Sequence, residues 1–456
     1  MLYAIKKIGE YVIEKENLTE EEALIQRSKL IDAKKILCMV FKLKNDKATY
    51  YRINIEEDPI SKARRLLYRT FTHGHYDVTP TTRFLSPEKV KKRTILWFKE
   101  FLKKYDNSLI KSLYHEIAKK SDEIFEELSK KYNELNKEEK RGVIFTIKII
   151  EEEREKYLGE YAIFKEIFKK ESLEKFFAKH KVESKGEGIC HLCGRKTEVL
   201  GFASPFSFST FDKPGFAPTL NQKNSWKALP ICAKCAVFLE AGKEYLNEKL
   251  LKRFDGFKFY VIPNFVLGKI NKDIMEELED SDKRKYTDSI LSVEDDILNI
   301  VKEERDVMTL IFIFIKPKQK DFFDIVKYVE NVPPSWIKNL SNALKEIAGL
   351  PLFRDEDMLK RIFGEKKTGG LEGKITIYGL IRPFFPSPNC DKSFIDLVGD
   401  ILAQRKVNER FLIKAFIKEI RNSHVNRENR KEKTLCLKSL LLITFLSKLN
   451  LINKGK

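Results

Sequence analysis

The sequence lacks the features of a secreted or membrane-bound chain. Its longest apolar runs, residues 308–315 and 440–446, are far shorter than the roughly 20 residues that cross a bilayer. Its N-terminus has no uninterrupted apolar core of the kind found in signal peptides. Cysteines number only 7 among 456 residues, and an odd, scattered set does not indicate a disulfide framework. We therefore expect a cytoplasmic protein without a membrane partner.

Familiar catalytic motifs are also missing. There is no Gly-x-Ser-x-Gly elbow, no His-Glu-x-x-His and no His-Asp dipeptide. The glycine-rich stretch 364–374 fails as a phosphate-binding loop, because Gly370 stands where one frame needs lysine and Ile375 where the other needs Ser or Thr. The sequence thus predicts a binding protein and not an enzyme, although a nuclease site assembled from distant residues stays open.

Acidic residues are in deficit. The chain has 87 Lys and Arg against 68 Asp and Glu, which gives a net charge of +19. A Lys/Glu-rich surface of the thermophilic kind explains abundant charge but not this imbalance. The surplus favours a polyanionic partner, most often nucleic acid. Residues 401–456 hold fourteen Lys and Arg and only four Asp and Glu. From this segment we select as candidate phosphate contacts Arg405, Arg410, Lys414, Arg421 and Arg427.

Two Cys-x-x-Cys pairs are the most specific feature of the chain. Cys190 and Cys193 form the first pair, and Cys232 and Cys235 form the second. Four thiolates are the ligand set of a closed, structural Zn²⁺ site, which leaves no open position for catalysis. Gly194 suits the tight turn after the first pair. Four unmetallated core cysteines are the alternative, and a redox pair would not explain two copies.

The segment between the two cysteine pairs is aromatic and poor in acid. Its phenylalanines fit either a small core around the metal or stacking platforms for bases: Phe202, Phe206, Phe208, Phe211 and Phe216. A polar stretch follows them and contains Gln222, Lys223 and Asn224. Amide and ammonium groups of this kind suit base edges or phosphates, so we predict that these three residues contact DNA.

A second candidate contact lies near the N-terminus. A basic helical stretch ending at Arg69 leads into a loop that carries His73 and His75. A His-x-His pair could ligate a metal, but no third group of ligands is evident nearby. The segment could also be a surface loop without a special role, or it could contact nucleic acid. We predict the nucleic-acid contact for all three residues.

The patterns together predict an α+β fold: a mixed N-terminal region with a four-cysteine zinc-binding insertion, followed by a C-terminal helical bundle. The predicted elements are a hairpin of strands 36–42 and 49–55, charged helices over 91–184, buried strands at 257–262 and 308–315, a linker at 331–335, a helix at 336–348, a strand at 374–379, and two long basic helices at 392–422 and 432–452. The predicted domains are 1–186, 187–262 (zinc-binding), 263–332 and 335–456 (the basic bundle).

Several segments resemble one known family. AIKKIGEYVIEKE, GHYDVTPT, ASPFSFSTFDKPGFAP, LPICAKCA with the following LEAGKEYL, and FYVIPNFV are together similar to the large subunit of type I-B CRISPR interference complexes (Cascade). These motifs cover residues 1 to about 270, and the remainder matches in composition and order, with a basic helical bundle at the end. The zinc segment is the most specific element of the resemblance.

The resemblance implies a non-enzymatic subunit of a crRNA-guided complex in antiviral defence. It would contact backbone and handle-binding subunits that hold the crRNA, bind target double-stranded DNA, recognise the flanking motif (PAM) and support R-loop formation. It would then recruit a separate helicase–nuclease in trans. In relatives the C-terminal bundle is also made separately as a small subunit, for which Met308 or Met358 could serve as a start.

Two further functions remain open from the sequence. One is a stand-alone, zinc-containing nuclease or nucleic-acid-processing enzyme. The other is a structural RNA-binding protein outside any guided complex.

Overall fold

The structure is a computed structural model that describes residues 1–71, 76–179, 181–206, 211–254, 257–266, 270–280, 308–317, 323–351, 377–427 and 429–453. The chain forms two compact units, with the first at residues 2–248 and the second from residue 249 onward. Within the described parts, no helix is both long and apolar enough to cross a membrane.

The first unit mixes helices with three small sheets. Its helices are α1 (Leu2–Lys15), α2 (Ala63–Leu66), α3 (Pro87–Lys104), α4 (Ser108–Lys119), α5 (Ser121–Glu134), α6 (Lys137–Lys140), α7 (Ala162–Glu174), α8 (Ser225–Ala228) and α9 (Ala233–Lys249). Its strands are β1 (Lys35–Lys44), β2 (Lys47–Glu57), β3 (Thr82–Arg83), β4 (Val143–Glu151), β5 (Arg154–Tyr157), β6 (Ala178–Lys179), β7 (Val182–Glu183), β8 (Lys185–Ile189), β9 (Lys196–Leu200) and β10 (Ile231–Cys232).

The predicted N-terminal hairpin is confirmed. Strands β1 and β2 pair antiparallel around Asn45 and Asp46, whose φ angles of 47° and 57° suit a two-residue turn that matches the twist of the strands. The hairpin extends into a sheet of order β2-β1-β4-β3, with β5 also paired to β4. Helices α4 and α5 pack on β2, and α3 packs on both helices.

The helical prediction is wrong for residues 143–151, which form strand β4 in the centre of this sheet. β4 runs parallel to β1, and its first seven residues are all buried. A strand covered on both faces reads as a continuous apolar run without alternation, and such a run is not distinguishable from a buried helix by periodicity. Its β-branched residues fit a pleated surface: Val143, Ile144, Thr146, Ile147, Ile149 and Ile150.

A partly buried ion-pair network crosses the same sheet. The carboxylate of Glu56 on β2 accepts from the Nζ of Lys148 on β4 at 2.6 Å and from the Nζ of Lys62 at 3.0 Å. The hydroxyl of Tyr157 also donates to it. Burial alone would raise the pKa of Glu56, but the hydrogen bonds from Lys148, Tyr157 and Lys62 outweigh burial and lower this pKa to about 2.

The backbones of helices α1 and α9 come into contact at two glycines, Gly9 and Gly242. A Cβ on Gly9 would lie 1.8 Å from the carbonyl oxygen of Phe238, and a Cβ on Gly242 would lie 2.2 Å from that of Ile5. Because real Cβ atoms cannot approach backbone so closely, only glycine fits at either position. This contact fixes α9 against the N-terminal helix.

The second unit begins with an antiparallel sheet of order β11-β12-β13-β14, formed by Leu251–Phe254, Phe257–Phe265, Met308–Pro317 and Phe323–Val332. Its helices are α10 (Lys272–Asp280), α11 (Pro334–Ala348), α12 (Ile377–Ile381), α13 (Asp391–Leu402), α14 (Glu409–Val425) and α15 (Asn429–Lys448). Short strands β15 (Val407–Asn408) and β16 (Ile452–Asn453) pair in parallel. The two buried strands predicted at 257–262 and 308–315 are confirmed.

Three sequence predictions in this unit differ from the structure. The proposed linker at 331–335 is a direct turn from β14 into α11, with Pro334 as the first helical residue, a position that favours proline. The helix predicted at 392–422 is two helices, because β15 separates α13 from α14. Residues 377–379 of the predicted strand are helical, and 374–376 lie outside the described residues, as does the stretch 364–374.

The α+β fold class is confirmed. The helix predicted at 336–348 is present as α11, and its Trp336 donates its indole N–H to the carbonyl of Ile401 on α13 at 2.9 Å. The boundaries of the four predicted domains stay predictions.

Candidate metal centre and nucleic-acid interface

The four cysteines are brought together by a small three-stranded sheet of order β10-β9-β8. Cys190 and Cys193 lie in the turn between β8 and β9, where the N–H of Gly194 donates to the carbonyl of Cys190 at 2.9 Å. Gly194 has φ of +70°, the left-handed conformation for which the sequence predicted glycine. Cys232 ends β10, and Cys235 lies in the first turn of α9.

The geometry of the cluster fits a tetrahedral metal ion. All four Sγ atoms lie within 4.8 Å of one another, and those of Cys193 and Cys232 are 3.9 Å apart. A zinc ion with Zn–S bonds of about 2.3 Å would place its sulfurs about 3.8 Å apart, whereas a disulfide needs about 2.05 Å. The predicted ligand set is therefore assembled, and it can hold a metal ion.

The electrostatics of the cluster also favour a cation. Burial raises the pKa of the Cys235 thiol, and the neighbouring charges of Cys232 and Cys190 raise it further. At Cys193, burial is outweighed by hydrogen bonds from the Arg195 backbone and the other thiols, so the pKa falls to about 7. The backbone N–H of Cys232 lies 3.4 Å from the Sγ of Cys190. Several thiolates cannot share this volume without a compensating positive charge.

We call residues 185–235, from the start of β8 to the first turn of α9, the cysteine lobe, and residues 211–224 within it the Phe216 loop. Pro214 and Pro218 each open a short 3₁₀ turn. Just past the loop, Trp226 packs against β8, where a Cβ on Gly186 would lie 2.6 Å from the indole ring. The Ser184 hydroxyl donates to the carbonyl of Lys223 at 3.1 Å. The loop is thus tied to the same sheet that carries the cysteines.

The phenylalanines of the segment divide between the two roles that the sequence left open. Phe202 and Phe206 are buried, with exposed fractions of 4% and 3%, and belong to the core. Phe211 is half-buried, and Phe208 lies outside the described residues. Phe216 is 66% exposed.

The three polar residues predicted to contact DNA differ in what they offer. The side-chain amide of Gln222 donates to the carbonyl of Asp212, and that of Asn224 donates to the Thr219 hydroxyl at 2.8 Å. Both amides therefore hold the loop in shape. Lys223 is exposed. Their role in DNA contact stays a prediction, and Lys223 is the residue whose side chain is best placed for it.

The position of Arg69 contradicts its predicted contact with DNA. Its side chain is fully buried; one guanidinium nitrogen donates to the carbonyl of Leu24, and another lies 2.9 Å from a carboxylate oxygen of Glu240 on α9. Lys175 reaches the same oxygen at 3.3 Å. A side chain without accessible surface cannot touch a phosphate. The sequence could not reveal this, because Glu240 is 171 positions away. His73 and His75 lie outside the described residues.

The C-terminal candidates fit an interface. All five are exposed, and three of them, Arg410, Lys414 and Arg421, follow one another along α14 at spacings of four and seven residues, which place them on one side of a helix. Arg405 lies 3.9 Å from Asp400, and its side chain is 70% exposed. Arg427 follows the end of α14.

Sequence reasoning missed Leu220, which is 73% exposed next to the predicted polar residues. Thr219 and Leu220 have φ of 56° and 54°, although neither residue type favours left-handed backbone. The only signal in the sequence was the pair of prolines at 214 and 218, which indicated turns but not which side chain would be presented.

Fold and site together define an α+β protein with four clustered cysteines that can hold a metal ion and with exposed basic residues along α14. Three models of one family match most of the chain, described as the N-terminal, central and C-terminal domains of CRISPR-associated protein TM1802 and matching residues 1–170, 187–332 and 376–456. The chain belongs to this CRISPR-associated family. A comparison with curated proteins gives no match.

Proposed function

We propose that this chain is the large subunit of a type I-B CRISPR interference complex that binds target DNA without catalysing its cleavage. Membership of the TM1802 family supports a CRISPR effector role. The observation that carries the DNA-binding part is the row of exposed cations on α14. In a guided complex, base pairing reads the target, so the protein needs only to grip backbone and read a short flanking motif.

The α14 row suits nucleic-acid backbone. Each residue of a helix adds about 1.5 Å along the axis, so Arg410 and Arg421 lie about 16 Å apart along α14, with Lys414 between them. Several phosphates lie within that distance. Arg405 precedes α14 and Arg427 follows it in the chain, and both side chains are exposed. Such contacts bind all sequences alike and weaken as salt increases, with a slope that reports the number of phosphates engaged. These five residues would follow the displaced strand or the guide–target duplex.

The metal is Zn²⁺ in this proposal. Four thiolates at tetrahedral spacing are a closed structural set, held by Cys190, Cys193, Cys232 and Cys235. The metal would fix the β8–β9 turn to the start of α9 and thereby support the Phe216 loop. Its role is to hold the lobe folded.

We propose that the cysteine lobe recognises the flanking motif, and that the exposed side chain of Lys223 contacts it. Contact with the backbone and handle-binding subunits, R-loop support and recruitment of the helicase–nuclease are further parts of the proposal. They rest on the family and on the basic surface, which suit a subunit that positions nucleic acid for another enzyme.

A small subunit made from the C-terminal region would start better at Met358 than at Met308. Met308 is the first residue of β13, which pairs with β12 along its length. A product that began there would lack β12 and would leave an apolar strand as an open edge, which favours aggregation. Met358 lies outside the described residues and after the whole sheet.

Co-purification tests the proposed function. The tagged chain is expressed in its native host, and the bound material is analysed by RNA sequencing and mass spectrometry. We expect crRNA and backbone subunits, and the proposal requires both. Diverse cellular RNA without those subunits would instead identify a structural RNA-binding protein.

A second experiment tests the absence of catalysis. The purified chain is incubated with Mg²⁺ and end-labelled DNA or RNA, and the products are separated on a denaturing gel. We expect intact substrate. Cleavage that persists through further purification would replace the proposal with a zinc-containing nuclease.

A further inference from the structure

We infer that the Phe216 loop is a stacking platform for an unpaired base of nucleic acid. The inference rests on the proposed function and adds the chemical group that the metal-binding lobe would recognise. Within the loop, the amide side chains of Gln222 and Asn224 are turned to a backbone carbonyl and a hydroxyl of the loop itself, whereas Phe216 and Leu220 are presented to solvent.

The apolar side chains are held outward by the loop itself. Phe216 and Leu220 are 66% and 73% exposed, and the two turns that carry them contact each other. The N–H of Phe216 donates to the carbonyl of Lys213 at 3.0 Å, and that of Leu220 donates to Ala217 at 3.0 Å. Among the described residues, no aromatic ring stacks on Phe216, so its face is accessible.

The loop is organised before any ligand arrives. Pro214 and Pro218 restrict φ at the start of both turns. The Ser225 hydroxyl donates to the carbonyl of Phe211 at 2.6 Å, and the amides of Gln222 and Asn224 close the loop from within. A rigid aromatic platform binds at a lower entropic cost than a flexible one.

The backbone at the exposed end of the loop is strained. Thr219 and Leu220 both have positive φ, 56° and 54°, and a β-branched residue in this region is a genuine outlier. Strain of this kind persists only where surrounding contacts impose it, and it concentrates at binding sites. Here the strained pair directs Leu220 into solvent, where its side chain is 73% exposed.

Charge selects nucleic acid over an apolar protein partner. Exposed lysines flank the apolar pair at positions 213, 223 and 227. The single acidic residue of the loop, Asp212, has a side chain only 13% exposed and pairs with Lys179 at 3.4 Å. An aromatic face bordered by cations, on a loop whose own single carboxylate is paired, suits single-stranded nucleic acid.

The test measures affinity of the full-length chain for end-labelled single strands by fluorescence anisotropy, with DNA and RNA of the same sequence in separate arms. We expect Phe216→Ala to weaken binding about tenfold by removing one stacked base, and Phe216→Trp to retain affinity. The slope of log affinity against log salt should stay unchanged for Phe216→Ala and fall in magnitude by about 0.7 for Lys223→Ala, the value for one phosphate contact on a single strand. The arm with the larger loss identifies the strand that is stacked.

The matched control is Ile189→Ala, which removes a side chain that is 64% exposed on β8 of the same lobe and should leave affinity unchanged. If Phe216→Ala binds both strands as well as the unaltered chain does, while Lys223→Ala still lowers the salt slope, the platform is refuted and the DNA-binding function stands. If Phe216→Ala instead prevents assembly with the backbone subunits and spares strand binding, the loop contacts protein and the inference also fails. Failure of the proposed function would be seen in a different experiment: the unaltered chain would co-purify without crRNA and without backbone subunits.

Discussion

Replacing Arg69 by alanine should destabilise the first unit severely and should not act through nucleic acid. Arg69 has no exposed surface, and its guanidinium contacts both the carbonyl of Leu24 and the carboxylate of Glu240. Burial lowers the pKa of the guanidinium, and the nearby charges of Glu240 and Glu244 oppose that shift. The ion pair therefore compensates a desolvation cost that the fold has already incurred.

The magnitude follows from what would be left behind. Glu240, with a side chain 4% exposed, would keep Lys175 at 3.3 Å as its one charged partner among the described residues, and a buried carbonyl would lose its donor. Breaking one side of a buried ion pair costs about 3–5 kcal/mol, a large part of the roughly 5–15 kcal/mol by which a domain is stable. Replacing both partners with apolar residues of similar volume should recover most of the loss.

The assay is urea denaturation of the purified variants followed by tryptophan fluorescence. Arg64→Ala is the matched control, because that side chain is 49% exposed and lies 3.9 Å from Glu22; it should change the free energy of unfolding by less than about 1 kcal/mol. The double variant Arg69→Met with Glu240→Leu should unfold near the unaltered chain. An Arg69→Ala variant of normal stability that has lost DNA binding would refute this reasoning and restore the contact predicted from the sequence.

Two more outcomes follow from the structure. Cys193→Ser should abolish metal binding, measured by elemental analysis, and unfold the cysteine lobe, since structural zinc contributes an apparent ~10–16 kcal/mol in small zinc domains. Cys436→Ser changes an exposed cysteine that is not part of the cluster and should have neither effect. A lobe that stays folded without metal would contradict a structural role. The pKa of Glu56 is lowered to about 2 from 4.5, so its contribution to the free energy of unfolding is complete above pH 4.5 and is lost as the pH falls from about 5 to 2; it is on the order of 3 kcal/mol. Glu56→Gln should flatten that part of the stability–pH curve, and an unchanged curve would count against the ion-pair network.

The parts of the molecule that could be predicted from sequence depend on short-range requirements. The cysteine cluster needs two tight turns and four thiols, and both are visible in the spacing of the pairs and in Gly194. The N-terminal hairpin depends on Asn45 and Asp46, whose side chains tolerate the left-handed backbone of its turn. In each case a pattern of neighbouring residues is enough to identify the feature.

The failures have long-range causes. Strand β4 pairs with β1, which lies about a hundred positions earlier, and nothing within 143–151 shows that both faces are covered. The same holds for Arg69, which is basic and follows a basic helix, yet meets its acidic partner only after folding. For Gln222 and Asn224 the DNA contact stays a prediction: their amides suit DNA, and the loop that carries them also uses these donors to close on itself.

The glycine contact between α1 and α9 constrains the position of the cysteine cluster. Helix α9 is a stiff rod of 17 residues, about 25 Å long at 1.5 Å per residue, with Cys235 in its first turn and Gly242 near its middle. Since the backbones touch at Gly9 and Gly242, the rod cannot slide or rotate without moving the N-terminal helix. The position of the cysteine lobe therefore depends on a contact outside it. A Gly9→Ala variant, whose Cβ would meet the carbonyl of Phe238, should displace α9 and with it Cys235, without altering any of the four cysteines.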